Sequence, residues 1–337
     1  MSRPFLSVSM IVRNEESSLQ TCLDSVKAFA DEIIIVDTGS IDKTVDIAKA
    51  NGAIVGHTKW INDFSYARNF SLRNCHGLWI LIIDADEVID VGNIYHFLRQ
   101  LHVADEVVGC YFVALDNHNL KQDGTNIIHR GYYPRIFRNY GYPDIKFEGV
   151  IHEQILPSIL KLGKTYSCIN ATIRHQKFGG NADILIQKAS RNYNIIYNYL
   201  LSNPDSSVHW FWLGQTLFQM FLPDPAYLCC EFAMMLQTLP NEVAASNYAM
   251  MAQYQGSLNK FGVSLMYCNL SLECVANQFY ARFLKACNLL YLGDYGQAKL
   301  LFLTLLNWNN SFENPDILTY DIIFPREIIE IYIEQCK

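Results

Sequence analysis

The chain has 337 residues, half of them hydrophobic and 13% aromatic, with a formal net charge of −7. That composition excludes global disorder, and the acidic balance argues against broad nucleic-acid binding, which needs a basic face. At about 150 residues per domain the length suggests two domains. The opening stretch Met1 to Val12 holds an apolar run too short to cross a bilayer and no small-residue cleavage site, so a cytoplasmic protein without a transmembrane segment is expected. Ten cysteines are scattered with no CxxC pair, which fits reduced, buried thiols rather than a disulfide framework or a zinc cluster.

In chain order, Phe5 to Val12 is a strand candidate, and Glu16, Leu19, Cys22, Leu23, Val26 and Ala30 follow at helical spacing. Glu32 to Val36 is a second strand, Thr44 to Ala50 a short helix, and Ala53 to Gly56 a third strand. A helix over Tyr66 to Asn74 leads into a fourth strand, Trp79 to Ile83, with later strands at Val108 to Ala114 and Tyr132 to Phe137. Strand–helix–strand order with brief loops predicts right-handed crossovers and a mostly parallel sheet. Beyond about residue 183 the texture becomes helical, rich in Leu, Tyr, Met and Ala. Trp210, Leu213, Gly214, Leu217, Ala226 and Ala233 match a tetratricopeptide-like helical hairpin, as do Ala286, Leu289, Gly293, Tyr295, Ala298 and Phe302. Two domains are therefore expected, residues 1–180 and 183–337.

The richest segment is Trp79-Ile80-Leu81-Ile82-Ile83-Asp84-Ala85-Asp86-Glu87, an apolar strand with three carboxylates at its carboxyl end. Ligands of an open α/β sheet bind at that edge. Crowded carboxylates there call for screening by a cation or solvent, and an Asp-x-Asp pair holding a hard divalent ion can grip the diphosphate of a sugar nucleotide. A solvated acidic turn is the competing reading. One strand–helix unit earlier comes Asp37-Thr38-Gly39-Ser40-Ile41-Asp42-Lys43-Thr44. Gly39 permits a tight turn, Ser40 or Asp42 can cap the next helix, and Asp37 can accept the imide N–H of a uracil. After the first strand, Arg13-Asn14-Glu15-Glu16 offers Asn14 as a helix cap with Glu15 and Glu16 in the first turn, while backbone from Met10 to Val12 can line a base. Arg68, in Phe64-Ser65-Tyr66-Ala67-Arg68-Asn69, is placed to meet a diphosphate, or else forms a surface ion pair. Arg135 and Arg138 are candidate acceptor or phosphate contacts, or solvated charge on a strand.

Taken together, Ser9 to Glu16, Val36 to Thr44, Phe64 to Asn69 and Asp84 to Glu87 resemble, in order and spacing, the family 2 glycosyltransferases with a GT-A fold. The subgroup most resembled carries a helical, repeat-like C-terminal region and includes lipopolysaccharide-core glucosyltransferase-like proteins and sublancin-type peptide S-glycosyltransferases. The resemblance covers about residues 5 to 178. It implies an inverting, metal-dependent transfer from a nucleotide-sugar, usually a UDP-sugar, assisted by Mn or Mg. The acceptor would be a saccharide, a lipid-linked glycan or a peptide, with the choice among them left open. Val12, Asn14, Glu15, Gly39 and Ser40 would line the donor site, Asp37 would meet the uracil, Arg68 the base or diphosphate, and Asp84 with Ala85 the ribose or metal shell. Asp86 would ligate the metal, and His175, in Arg174-His175-Gln176-Lys177-Phe178-Gly179-Gly180, would complete its shell unless the segment is a plain linker.

The Glu-Asp pair and later Gln-x-x-Arg-Trp motif of many family members are absent. In their place stands Phe147-Glu148-Gly149-Val150-Ile151-His152-Glu153, which resembles the subgroup. An inverting transferase needs a base on the acceptor side, with Glu153 the first choice, Glu148 the second, and His152 available to orient a carboxylate or phosphate. The helical region would position the acceptor or mediate self-association. Two alternatives are a nucleotidyltransferase, whose Gly-rich basic loop after the first strand is missing, and a non-catalytic helical-repeat protein with a vestigial nucleotide-sugar domain.

Overall fold

The computed structural model describes residues 3–120, 126–176, 182–308 and 321–337, with backbone alone at 118–120, 126–129 and 182–185. It divides into two compact units, one built from residues up to 116 with 132–178, the other from 117–131 with the chain beyond 179.

In the first unit β1 (Leu6–Val12), α1 (Leu19–Val26), β2 (Glu32–Asp37), α2 (Thr44–Ala50), β3 (Ile54–His57), α3 (Phe64–Leu72) and β4 (Trp79–Ile82) alternate. There follow β5 (Glu87–Asp90), α4 (Ile94–His102), β6 (Val108–Leu120), β7 (Asn126–Arg138), α5 (Leu156–Lys161) and β8 (Thr165–His175). The strand order is β3-β2-β1-β4-β7-β6-β8-β5. The first four strands run parallel, as the strand–helix alternation requires, while β7 joins β4 and β5 joins β8 antiparallel. The sheet is thus mixed, because beyond β4 a helix no longer separates every pair of successive strands: none stands between β4 and β5, whereas α4 and α5 precede β6 and β8.

Both faces of the sheet are buried, and the apolar runs show it. Along β4, Trp79 and Leu81 join one core with Leu6, Val8, Met10, Leu19 and Leu23, while Ile80 and Ile82 join the other with Leu72, Phe137 and Phe147. Two-residue alternation sends neighbouring side chains to opposite faces, so an unbroken apolar run is what a doubly covered strand needs. Where α3 lies on β1, Ser9 hydroxyl meets Ser71 hydroxyl at 2.6 Å, so small polar residues pair there instead of leaving a buried group unsatisfied.

The second unit holds α6 (Ala182–Ser202), α7 (Ser207–Gln219), α8 (Pro223–Met235), α9 (Asn241–Ser257), α10 (Phe261–Cys274), α11 (Phe279–Tyr291), α12 (Tyr295–Leu306), β9 (Asp321–Ile323) and α13 (Arg326–Gln335). The first tetratricopeptide-type spacing falls on α7 and α8, the second on α11 and α12. Gly214 shows why small residues recur there: a Cβ would stand 3.0 Å from both the Ala226 carbonyl and the Cys230 sulfur. Buried Asp321 accepts the N–H groups of Phe279 (2.6 Å) and Tyr280 (2.8 Å), supplying from a distant segment the acceptors that the start of α11 lacks. Within this unit Ile128 to Arg130 pair antiparallel with β9. All ten cysteines are free thiols. Among the described residues no helix is long and apolar enough to cross a membrane.

Candidate active site

The loops after β1 and β2 are stitched to each other. Asn14 does not cap α1, which begins at Leu19 with Ser18 before it. It adopts a left-handed backbone (φ 55), gives its N–H to Ser40 Oγ at 2.9 Å and accepts the Ile41 N–H on Oδ1 at 2.9 Å. Glu15 likewise lies outside the helix: its N–H reaches Thr44 Oγ1 at 2.7 Å and its carboxylate accepts the Ser18 hydroxyl at 2.7 Å. Glu16 accepts the Lys43 N–H at 3.1 Å. The first-turn role expected for both acids is therefore replaced by loop bracing, because two further residues of turn separate them from α1. Lys43, not Ser40 or Asp42, occupies the N-cap of α2 and makes no side-chain capping bond, while Asp42 one residue earlier accepts the Thr44 N–H at 3.0 Å.

Asp37 closes β2 with a buried carboxylate that accepts the N–H groups of Ser40 (3.0 Å) and Gly39 (3.2 Å) and faces His57 at 3.3 Å. Burial pushes this carboxyl up, but the hydrogen bonds from Ser40, Gly39 and His57 prevail and hold it below its usual value. Gly39 takes φ 111, a conformation L side chains avoid. The Val12 carbonyl receives both the N–H (3.0 Å) and hydroxyl (3.1 Å) of Thr38.

A second assembly grows from α3. Asp63 caps it by accepting the Tyr66 N–H at 3.0 Å. One turn later, Ser65, Arg68 and Asn69 share a face, since residues three and four apart are helical neighbours. All three hold the segment 147–153. Asn69 brackets Phe147, donating to its carbonyl at 2.9 Å and accepting its N–H at 2.8 Å. The Ser65 hydroxyl donates to the Gly149 carbonyl, and the Phe64 N–H to the Val150 carbonyl at 2.9 Å. Arg68, 5% exposed, gives Nε to Glu153 at 3.1 Å and Nη2 to Asp84. Its Nη1 is buried without a hydrogen-bond partner among the described residues. The surface ion-pair reading of Arg68 is thus replaced by a buried one.

The chain turns after β4 at Asp84-Ala85-Asp86, and Glu87 opens β5 instead of remaining in an acidic turn. Asp84 is shared by Arg68 and, at 3.8 Å, Arg135; against the pull of burial, these guanidinium groups hold its carboxyl well below the carboxylate range. Buried Glu87 accepts the Asp84 N–H at 2.8 Å and the Arg135 Nη2 at 2.7 Å. Burial pushes the Glu87 carboxyl up, opposed by Arg135. His175, the last residue of β8, sits opposite Glu87 in the antiparallel pair. Its Nδ1 lies 3.6 Å from Asp86 and its Nε2 3.6 Å from Glu87. Burial alone would lower this imidazole, but Asp86 and Glu87 outweigh it and raise its pKa. Ala85 is buried between the two aspartates.

Asp84, Asp86, Glu153, Arg68 and His175 are thereby brought into one linked cluster. Glu148 is not. Burial pushes the Glu148 carboxyl up, but Lys161 (3.3 Å) and Lys146 (3.4 Å) together outweigh it and hold it down, and His152 is exposed at φ 50. Arg138 also departs from expectation: it lies over the Trp79 ring at 4.5 Å and donates to the Val108 and Ala104 carbonyls, both at 2.9 Å, which is a packing role. Arg174 and His175 belong to a strand, not a linker, while Lys177 to Gly180 lie outside the described residues. The cluster member that the motifs did not single out is Glu87; its place next to an Asp-x-Asp pair was the available signal.

Residues 7–154 match the family model described as Glycosyl transferase family 2. A TPR repeat-containing protein of Synechococcus elongatus is 36% identical over 222 residues, 64% of this chain and 52% of that protein. The SPbeta prophage-derived glycosyltransferase SunS of Bacillus subtilis is 31% identical over 221 residues, 64% of this chain and 49% of that one. The chain thus spans about half the length of the curated relatives it matches. Among solved structures, the glucosyl-3-phosphoglycerate synthase of Mycobacterium tuberculosis covers 34% of this chain and 43% of that chain at 23% identity, with a TM-score of 0.27. The match to the glycosyl transferase family 2 model thus falls on residues 7–154, the stretch that holds the Asp-x-Asp turn at the carboxyl edge of the sheet.

Proposed function

We propose that the chain is an inverting glycosyltransferase that moves a sugar from a UDP-sugar to a saccharide, lipid-linked glycan or peptide acceptor with the aid of Mn2+ or Mg2+. The observation that carries this reading is the charge of the cluster. Four carboxylates gather with two guanidinium groups and one imidazole: Arg68 pairs with Asp84 and Glu153, Arg135 with Asp84 and Glu87, and Asp86 meets His175. Such a site repels a diphosphate unless a cation accompanies it. The donor set suits that cation. Among the described residues no three His, Cys, Asp or Glu side chains converge on one metal position. Magnesium is usually held by one or two carboxylates with substrate phosphates supplying further oxygens, and Asp86 with His175 would provide the protein's share. When bound, the cation offsets the charge of the departing diphosphate.

The protein's own groups divide the remaining work. Asp37 braces the loop that would cover the uracil, and Asn14, Glu15, Gly39 and Ser40 fix that loop's backbone. Arg68 would direct its remaining donor toward the bound nucleotide. Glu153 is the proposed base: it stands at the cluster, whereas Glu148 is turned to two lysines. As the acceptor attacks the anomeric carbon, Glu153 takes its proton and the bond to the β-phosphate oxygen breaks, inverting the centre and releasing UDP. The helical hairpins of residues 183–337 are read as degenerate tetratricopeptide repeats that present the acceptor.

Calorimetric titration of UDP, with Mn2+ and then with chelator, tests this. Metal-dependent binding that Asp86→Asn abolishes, together with transfer lost in Glu153→Gln while UDP binding persists, is the expected result. No heat from a folded sample under either condition would overturn the reading in favour of a scaffold.

A further inference from the structure

We propose that Glu87 is a positioning residue that orients the ring of His175, so that Nδ1 faces Asp86 and the divalent cation the two would hold. The cation itself rests on the functional reading above. The relation between Glu87 and His175 begins in the backbone. They are direct cross-strand partners in the antiparallel pairing of β5 with β8, which puts their side chains on one face of the sheet. Asp86 is tied to the same ladder, its carbonyl accepting the Gln176 N–H at 2.8 Å.

The Glu87 carboxylate has little freedom to turn. Fully buried, it accepts the Asp84 N–H at 2.8 Å on one oxygen and Arg135 Nη2 at 2.7 Å on the other. That second oxygen is the one 3.6 Å from His175 Nε2. The Glu87 N–H returns to the Asp84 carbonyl at 3.0 Å, so the Asp-x-Asp turn is closed from both ends by one residue.

The imidazole therefore lies between two acids of different surroundings. Glu87 on the Nε2 side is shut off from solvent, whereas Asp86 on the Nδ1 side is 22% exposed. A metal-bound histidine ligates through one nitrogen and commonly gives the N–H of the other to a carboxylate, which fixes tautomer and ring angle. Burial assigns the roles: Nε2–H toward Glu87 inside, Nδ1 toward Asp86 and the open side. A small closure from 3.6 Å completes the hydrogen bond when the cation fixes the ring.

The experiment is a double-mutant cycle in the full chain, with Mn2+ affinity read by electron paramagnetic resonance in the presence of UDP. Glu87→Gln keeps the shape and an oxygen acceptor, and it is expected to weaken Mn2+ binding about 10–100-fold. On a His175→Ala background the same substitution is expected to change affinity less than about twofold, because its effect runs through the ring. Equal losses on both backgrounds would show that Glu87 serves only as the counter-ion of Arg135, and unchanged affinity with His175 present would equally overturn the proposal. Ring nitrogen-15 shifts of His175 in wild-type protein give a readout independent of any variant. Mg2+ with UDP should move the Nδ1 resonance and leave Nε2 protonated; the reverse pattern would overturn the assignment. A wild-type protein that binds no Mn2+ with UDP would instead overturn the functional reading, a result distinct from loss or retention in Glu87→Gln.

Discussion

Replacing Arg68 by Met tests whether the cluster is organised as described. The side chain is 5% exposed, and Met fills much of its volume while removing both ion pairs. The Nε–Glu153 separation of 3.1 Å corresponds to a gross attraction of about 5 kcal/mol at an effective dielectric near 20. Desolvation offsets much of that attraction, so the net worth of the pair is smaller. Removing one partner is another matter, because it leaves Glu153, 13% exposed, as an uncompensated charge beside Asp84. Breaking a buried pair in this way costs about 3–5 kcal/mol. Asp84 is 34% exposed and keeps Arg135 at 3.8 Å, which moderates its share, so about 2–4 kcal/mol is expected for Arg68→Met. The double variant Arg68→Met with Glu153→Gln should recover part of the loss, since no buried carboxylate is then stranded. With two structural units a single melting curve is ambiguous. Urea dependence of amide exchange in β1 and β4 reports the N-terminal unit alone. A single variant within about 0.5 kcal/mol of wild type, or a double variant whose losses simply add, would refute the reasoning.

Asn69→Ala removes both hydrogen bonds to Phe147 and strands a backbone N–H and carbonyl, costing about 2–3 kcal/mol in the same exchange assay. Transfer should fall further than UDP binding, because the segment released carries Glu153; equal losses would count against a base there. In the helical unit, burial lowers His209 from 6.5 to about 4, so its contribution is present above about pH 6.5 and lost as pH falls toward 4, by at most ~3 kcal/mol. Burial raises Asp321 from 3.8 to about 6, which has the opposite sign: that contribution is full at low pH and lost as pH rises through 6. His209→Phe should therefore leave a helical unit whose urea midpoint falls between pH 4 and 6, and a variant that tracks wild type would show that one assignment is wrong.

The fold was legible wherever one physical cause acted alone. Thr44–Ala50 is a helix and Trp79–Ile82 a buried strand because spacing and apolar content admit little else. Glu87–Asp90 was not legible: a charged four-residue strand resembles the tail of a turn, and it forms through pairing with β8, more than eighty residues away. Asn14 misled for a related reason. Its short polar side chain suits a cap and suits the left-handed region, and only contact with the loop after β2 selects the second. Arg135 and Arg138 sit three apart on one strand, so alternation sends them to opposite faces: one joins the carboxylates and the other covers Trp79. Sequence shows that alternation but not which of the two faces will meet the carboxylates.

The placement of Arg68 has a consequence for how the proposed reaction is coupled. One guanidinium holds Asp84, at the turn that leads to the proposed cation ligand Asp86, and Glu153, the proposed base. Donor side and acceptor side are therefore fixed by the same side chain and by the helix that bears it. The 147–153 segment adds rigidity: Ser65 and Asn69 secure it at Gly149 and Phe147, so Glu153 reaches Arg68 from an anchored backbone. Such an arrangement suits a single displacement, in which leaving group and nucleophile must be aligned at once. It also predicts that Arg68→Lys is not a mild change. Lysine restores one charge but no fork, so it can satisfy Asp84 or Glu153 with good geometry and not both. If UDP binding and transfer in Arg68→Lys fall by the same factor, the guanidinium serves the donor alone; a larger fall in transfer is what a shared role requires.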